Sequence, residues 1–238
     1  MALTDDAILK IKELIVAGEF VPGAKLPKER ELADRLGLSR NSLREAVRAL
    51  TLIGVLEPRQ GDGTYVTSLE PDLLLAGTTF VSDLLAGPNV LELHRVRRIL
   101  EPAATALAAT LLTEEEFDAL EACLARMDAA ETMQAFIDTD VEFHRIIVNA
   151  SGNATLASLI QNLAGGTIRA RLWRAIAEEG ATEVAKRLHH DIFRALKARD
   201  PELAAAADLL HLADGERWLR NMLDQEARDG RQAALDGA

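Results

Sequence analysis

Four residues in the second half of the chain have the types and the spacing of a metal site. Asp140 and His144 are four positions apart in DTDVEFHRIIV, a segment with helical periodicity, so both side chains leave one face of one helix. His189 and His211 lie on the last two helices that the sequence predicts. One carboxylate and three imidazoles that converge inside a helical bundle would bind a divalent transition metal.

These residues also fit a simpler interpretation. A buried histidine is commonly a hydrogen-bonded core residue, and the chain has five histidines, of which His94 and His190 lie outside this set. Residue types and spacing alone therefore leave both a metal site and a group of core histidines open. If a metal binds, its open coordination positions would accept a carboxylate or hydroxyl group of a small molecule.

The elements that must position these side chains are helices. Leu93, Val96, Leu100 and Leu107 recur at helical spacing, and no stretch after residue 68 alternates between apolar and polar residues as a strand does. Only 4% of the residues are aromatic, so packing between aliphatic side chains must supply the core. We predict an antiparallel bundle of six or seven helices. The expected helix boundaries are Thr113, Gly152, Gly165-Gly166, Gly180 and Asp200-Pro201.

The N-terminal part has the pattern of a helix–turn–helix followed by a hairpin. Pro27 is suited to the start of one helix, Gly37 ends that helix, and Ser39 can cap the next one. Two short strands are expected at Val55–Pro58 and Thr64–Thr67, around a turn that contains two glycines. This order of elements predicts a winged helix–turn–helix.

A row of arginines gives this unit its chemistry. Arg40, Arg44 and Arg48 recur every four residues on the side of the second helix that faces away from its apolar residues. Such a helix fits the major groove of DNA, and arginine can bond to guanine or phosphate through two hydrogen bonds. Arg30 would lie against the DNA backbone, and Gly63 would let the wing approach a phosphate. The alternative is a helical subdomain with a solvated basic face.

The first seventy or so residues resemble, nearly without a gap, the DNA-binding domain of the GntR family of bacterial transcription regulators. The resemblance is carried by LPKERELADRLGLSRNSLREAVRALTLIGVLEPRQGDGTYV, and in that family the arginines of the ER, SR and LRE pieces and a wing glycine contact operator DNA. Asp62 departs from many relatives, and an acid there would repel a phosphate from the wing. The expected DNA-contacting residues are Arg30, Ser39, Arg40, Asn41, Arg44 and Gly63.

The span 90–220 is similar to the FCD ligand-binding domain of the FadR subfamily of GntR. Three pieces carry this resemblance: LHRVRRILEPAATALAA, DVEFHRIIVNASGN and HHDIFRALKARDPELAAAADLLH. It implies a divalent transition metal, zinc first, with nickel, manganese and iron as alternatives. The implied metal ligands are Asp140, His144, His189 and His211.

Arg97 is the residue that we expect to bind the acid group of an effector. It matches the arginine of the family's first FCD helix, which lies over the metal pocket, and a guanidinium can grip a carboxylate through two hydrogen bonds. The alternative for Arg97 is a structural ion pair with Glu101, four positions along the same helix. Arg145 and Arg169 are further candidates for the same role.

Composition and charge agree with an intracellular regulator. Cys123 is the only cysteine, so no intrachain disulfide is possible. The N-terminus is acidic where a signal peptide is basic, and polar residues interrupt the uncharged stretch 146–168, so we expect a cytoplasmic protein without a membrane span. Residues 1–68 hold ten Lys or Arg and ten Asp or Glu, so the net charge of −11 lies entirely in residues 69–238. The DNA-binding unit must therefore use a local basic row instead of a general attraction to DNA.

These features together predict a mainly α-helical transcription regulator, a homodimer that binds a palindromic operator and is controlled by a small carboxylate, either a hydroxy acid or a sugar acid. A metal-responsive regulator, in which the metal itself is the signal, is the alternative. A metalloenzyme is disfavoured by the DNA-binding unit, and acyl-CoA binding is disfavoured by the histidine set. The expected domains are a winged helix–turn–helix over 1–68, a linker and connecting helix over 69–89, an FCD-like domain over 90–225 and a flexible tail over 226–238.

Overall fold

The computed structural model describes residues 3–85, 89–168, 170, 174, 178 and 180–236, which divide into two compact units at Gly77 and Thr78. The N-terminal unit contains α1 (Leu3–Val16), α2 (Glu29–Leu36), α3 (Arg40–Leu52), β1 (Leu56–Arg59) and β2 (Gly63–Val66), and α4 (Pro71–Leu85) contains the boundary. The C-terminal unit contains α5 (Val90–Leu111), α6 (Glu114–Asp128), α7 (Met133–Asn149), α8 (Ala154–Gly165), α9 (Ala181–Lys197) and α10 (Pro201–Asp236).

The predicted helix–turn–helix is present in the N-terminal unit. Gly37 ends α2 in the left-handed conformation, with φ of 66°, which glycine adopts without steric cost. The Ser39 hydroxyl accepts a hydrogen bond from the backbone N–H of Ser42 at 3.0 Å, so Ser39 caps α3 as expected. Apolar side chains from α1, α2, α3 and β1 form one core, which includes Ile11, Leu32, Leu43, Leu50 and Leu56.

The hairpin also forms, with bounds that differ slightly from the prediction. β1 and β2 are antiparallel, and the register pairs Leu56 with Val66 and Arg59 with Gly63. Helix α2 begins at Glu29, two residues after Pro27. The reason is that Leu26 donates its N–H to the carbonyl of Thr64 at 2.8 Å, which holds the chain extended beside β2.

The C-terminal unit is a bundle of helices, six of which lie within the described residues. Helices α5 and α10 run antiparallel, because Arg98 bonds to Glu216 while Thr105, further along α5, bonds to the earlier residue Asp208. The buried core joins α5, α6, α7, α9 and α10, and its largest members include Phe117, Leu120, Phe143, Ile147, Ile192 and Leu196.

The helices of this unit end where the sequence predicted boundaries. Thr113 and Glu116 form a capping box at the start of α6, in which each side chain accepts a hydrogen bond from the other residue's N–H. Asn153 caps α8, with its side-chain oxygen 3.0 Å from the N–H of Leu156. The Asp200 carboxylate accepts from the N–H of Leu203 at 3.0 Å at the start of α10. Local capping chemistry therefore sets these boundaries.

The mainly helical fold class with one small β-hairpin is confirmed. The expected break at Gly87-Pro88 lies outside the described residues. Helix α10 continues through residues 226–236, where we expected a tail, and the flexibility of that segment stays a prediction. Across the part of the chain that the structure describes, every helix is too short or too polar to cross a bilayer.

Candidate metal centre and nucleic-acid interface

Three helices bring the four expected metal ligands together. Asp140 and His144 come from α7, His189 comes from α9 and His211 comes from α10. Each can offer one ligand atom, and these four atoms all lie within 4.8 Å of one another. The i, i+4 spacing on α7 places the first two side chains on the same face, and packing of α9 and α10 against that helix supplies the other two.

The hydrogen bonding of His189 fixes which of its nitrogens faces the cluster. Its Nδ1 lies 2.7 Å from the backbone carbonyl oxygen of Ala185, and because a carbonyl oxygen only accepts, Nδ1 carries the proton. In the neutral ring Nε2 then has a free lone pair, and this atom lies 2.9 Å from Oδ1 of Asp140. A second contact that holds a histidine by its other nitrogen is typical of metal ligands.

Each of the other two histidines has a buried ring nitrogen that could bind a metal. Nε2 of His144 and Nδ1 of His211 are buried and have no hydrogen-bond partner among the described residues. Burial lowers the pKa of His144 to about 4 and lowers the pKa of His211 well below its usual value, so both rings are neutral at pH 7. Three imidazoles and one carboxylate are a donor set that fits zinc and its first-row neighbours.

Arg97, the residue expected to bind an effector, lies at this centre with its charge already partnered. Its guanidinium is 1% exposed and bonds to both carboxylate oxygens of Glu101. It also donates to the hydroxyl of Thr167 at 2.6 Å. The ion pair with Glu101, which was the alternative interpretation of Arg97, is therefore present. An effector would have to bind beside this pair or displace it.

A second buried carboxylate next to Arg97 and Glu101 was missed in the sequence. Asp208 accepts a hydrogen bond from Thr105 at 3.1 Å, and Glu101, His144 and Asp208 also bring possible ligand atoms within 4.8 Å of one another. Burial, followed by the negative charge of Glu101, raises the pKa of Asp208 to about 8. The signal that could have found Asp208 is its position three residues before His211, on the same face of α10.

Two cavities border this centre. The first, the α9–α10 cavity, has a volume of about 70 Å³ and reaches Asp140, His211 and Arg97. The second, the α7–α8 cavity, has a volume of about 180 Å³ and reaches His144, Arg97 and Arg145. Arg97 thus borders both spaces and Arg145 only the second. The third candidate for the acid group, Arg169, lies outside the described residues.

In the N-terminal unit, the expected DNA-contacting side chains share the solvent-facing side. Leu43, Ala46 and Leu50 on the opposite face of α3 are buried, which fixes the rotation of that helix. Arg44 donates to Glu29 at 3.0 Å and Arg48 donates to Glu45 at 2.7 Å, so both guanidiniums have acid partners in the protein alone. The exposed residues of the expected set are Arg30, Ser39, Arg40, Asn41 and Arg44.

The wing contains a cluster that the sequence did not predict. Asp62, where we expected repulsion of phosphate, lies 2.6 Å from the ammonium group of Lys25 and accepts a hydrogen bond from the Tyr65 hydroxyl. These two hydrogen bonds, Lys25 first, lower the pKa of Asp62. Gly63 has φ of 153°, and a Cβ there would come within 2.7 Å of the Lys25 side chain, so glycine lets Lys25 lie across the wing.

Comparison with known proteins agrees with both units. The family described as "Bacterial regulatory proteins, gntR family" matches residues 3–66, and the family described as "FCD domain" matches residues 92–214. The chain is 35% identical over 225 residues to the uncharacterized HTH-type transcriptional regulator Rv0494 of Mycobacterium tuberculosis, with 90% of this chain and 89% of that protein covered.

Two further relatives extend this similarity. The galactonate operon transcriptional repressor of Escherichia coli is 27% identical over 230 residues, which cover 92% of this chain and 97% of the repressor. A solved structure, Streptococcus agalactiae GntR, is 29% identical with a TM-score of 0.62 and covers 90% of this chain and 99% of its own. This chain therefore belongs to the GntR family, combines a GntR helix–turn–helix with an FCD domain, and is a DNA-binding transcription regulator and not an enzyme.

Proposed function

We propose that this protein is a homodimeric repressor whose affinity for a palindromic operator is controlled by a small carboxylate bound at a metal site in the C-terminal unit. The observation that carries the proposal is the convergence of three buried histidine nitrogens with a carboxylate oxygen of Asp140, beside a cavity that Arg97 borders. A divalent ion held by these residues would supply a Lewis-acidic position for an oxygen of the effector.

The residues around the site would each have a distinct task. Asp140, His144, His189 and His211 would hold the ion, and the carbonyl of Ala185 would keep His189 in the required tautomer. Arg97 would bind the carboxylate of the effector through a guanidinium that Glu101 already orients. Arg145, at the edge of the second cavity, would assist if the effector extends there.

The class of effector follows from the relatives and from the site. One relative is named as the repressor of a galactonate operon, and galactonate is a sugar acid. A carboxylate with a neighbouring hydroxyl offers two oxygens to a metal with open positions. Hydroxy acids and sugar acids are therefore the compounds to test first.

DNA recognition would follow from the N-terminal unit. In a dimer with twofold symmetry, two copies of α3 would enter two half-sites of a palindrome, with Arg40 and Arg44 at the bases and Arg30 at the backbone. An effector changes operator affinity only if it binds the DNA-competent and DNA-incompetent states with different affinity. Release of the operator on effector binding is the arrangement that we propose.

A metal-responsive regulator is the second candidate, and one observation favours it. Arg97 is bonded to Glu101 and Thr167, so its charge is already balanced without an effector. In that case the ion would be the signal, and Arg97 would be a structural residue. The two candidates differ in what must bind before DNA affinity changes.

One experiment separates them. Thermal unfolding of the full-length protein is followed with a panel of mono-, di- and hydroxy-carboxylates, with and without prior chelation. A rise in Tm with an acid that disappears after chelation supports the carboxylate-controlled regulator. A response to metal alone, with no acid adding to it, would replace that proposal with the metal-responsive one.

A further inference from the structure

The α9–α10 cavity has a size and a lining that restrict its ligand more sharply than the metal site does. It is bounded by α5, α7, α9 and α10, and residues 170 and 174 also line it. We infer that this cavity binds a short aliphatic 2-hydroxy or 2-oxo acid in preference to a polyhydroxylated sugar acid. The inference rests on the proposed function, because it assumes that an acid binds at the metal.

Volume sets the first limit. A cavity of 70 Å³ holds about five to seven waters when each takes roughly 10–15 Å³ of such space. An acid of about four carbons with one additional oxygen fills a space of that size. A six-carbon sugar acid has about twice as many heavy atoms and would extend beyond a space of that size.

The chemistry of the walls sets the second limit. Six lining residues are large and apolar, and they would contact an aliphatic tail. A buried hydroxyl on the tail would need a hydrogen-bond partner, and each one left without a partner weakens binding by about tenfold or more. The apolar lining residues are Phe136, Ile137, Leu188, Leu212, Trp218 and Leu219.

The two arginines that line the cavity, Arg97 and Arg174, already have hydrogen-bond partners. Arg97 bonds to Glu101 and Thr167. Arg174 bonds to Asp214 at 2.6 Å and to Glu178 at 2.8 Å, which balances its charge. Asp140 and His211 face the metal position, and His94 and Thr182 complete the polar part of the lining. These partners of the two arginines reduce the number of donors in the lining that remain for the hydroxyls of a ligand tail.

Gly215 lines the cavity at a position where any side chain would take up part of its space. A Cβ at this position would lie 3.6 Å from Cε1 of His94 and 3.9 Å from Nη1 of Arg174, which are ordinary contact distances. Alanine would therefore fit without a clash, and it is more stable than glycine inside a helix. The absence of a side chain at position 215 has a clear effect, which is to leave the space between His94 and Arg174 open to a ligand.

Pairs of acids with the same number of carbons test the preference. Binding of 2-hydroxybutyrate and of threonate, its dihydroxylated counterpart, is measured by calorimetry on the full-length, zinc-loaded protein. We expect 2-hydroxybutyrate to bind at least tenfold more tightly. Tighter binding of threonate or gluconate would overturn this inference and leave the proposed function intact. Failure of every acid to bind would overturn both.

Two matched glycine variants test whether the acid binds in the α9–α10 cavity. We expect Gly215→Ala to bind 2-hydroxybutyrate about tenfold more weakly, which is the usual effect of one methyl group in a pocket. Its zinc content should be unchanged. Gly165→Ala adds the same methyl group to a helical glycine that lines the α7–α8 cavity, where a Cβ meets no atom within 4 Å. We expect it to bind the acid as the wild type does. Equal affinity of Gly215→Ala and wild type, or a loss in Gly165→Ala alone, would remove the α9–α10 cavity from the proposal.

Discussion

The Nε2 atom of His189 lies 2.9 Å from Oδ1 of Asp140, while the opposite nitrogen of the same ring bonds to the carbonyl of Ala185. If the ring bears only the Nδ1 proton, as it does when it binds a metal through Nε2, its lone pair points at a carboxylate oxygen, which is a repulsive arrangement without a cation. A cation between the two removes the repulsion.

Metal binding should depend on His189 and not on its neighbour. We expect His189→Ala to lose most of the bound metal, as measured by elemental analysis after purification and dialysis. His190→Ala is the matched control, because His190 is 43% exposed and bonds to Asp128 outside the cluster. Full metal occupancy in His189→Ala would remove this residue from the ligand set.

Operator binding should depend on Arg44. We expect Arg44→Ala to weaken binding to an operator, obtained by selection from random DNA, by about 1–3 kcal/mol. Arg126→Ala is the control, because Arg126 is an exposed arginine of the C-terminal unit that is likewise paired with a glutamate, Glu142. Equal gel-shift affinity of Arg44→Ala and wild type would contradict the contact assigned to this residue.

The partner of Arg44 should oppose DNA binding. Glu29 holds the Arg44 guanidinium at 3.0 Å in the protein alone, and a phosphate or base must replace that carboxylate. Both side chains are about half exposed, so solvent screens the pair and it contributes little to stability. We expect Glu29→Gln to bind the operator about two- to fivefold more tightly, because no carboxylate then competes with the DNA for Arg44. Weaker binding by Glu29→Gln would mean that Glu29 orients Arg44 for its contact.

Asp208 should make the metal-free protein less stable as pH rises. Its pKa is raised from 3.8 in the unfolded chain to about 8 in the fold. Between these values the folded protein holds a proton that the unfolded chain has released, so the free energy of unfolding falls with increasing pH. Asparagine stays neutral at every pH. The free energy of unfolding of Asp208→Asn, relative to that of the wild type, should therefore rise by on the order of 2 kcal/mol between pH 6 and pH 8.

The effect of Asp208→Asn is measured by urea unfolding of the variant and the wild type, in the presence of a chelator, at each pH. His144 has the opposite dependence, because its lowered pKa reduces stability as pH falls below 6.5, but it is common to both proteins and cancels in the difference. A difference that does not change with pH would show that Asp208 is ionised in the fold throughout this range.

Local patterns were enough to predict most of the fold. Ser39, Thr113 and Asn153 act as helix caps through contacts three residues away, and Asp140 and His144 share a face through helical spacing. Interactions of this range are encoded in short segments, so one sequence is enough to identify them. The ligand set across three helices, in contrast, was implied by family resemblance and not by spacing.

What the sequence did not predict depends on distant pairs. Lys25 and Asp62 are 37 positions apart, and Thr105 and Asp208 are 103 apart, so neither pair follows from any local pattern. The start of α2 was placed too early for the same reason, since the strand pairing of Leu26 with Thr64 is non-local. Long-range packing decides which polar groups meet.

The internal ion pairs of the N-terminal unit have a consequence for the stoichiometry of ions in DNA binding. Contact with a phosphate normally displaces condensed counterions from DNA, and affinity falls steeply as salt rises. When the cation comes from an internal pair, the carboxylate left behind recruits a cation from solution, and fewer ions are released in total. Such a regulator would keep its operator occupied through osmotic changes in the cell that dislodge proteins with unpaired basic surfaces. The pairs concerned are Lys25–Asp62, Arg44–Glu29, Arg48–Glu45 and Arg59–Glu57.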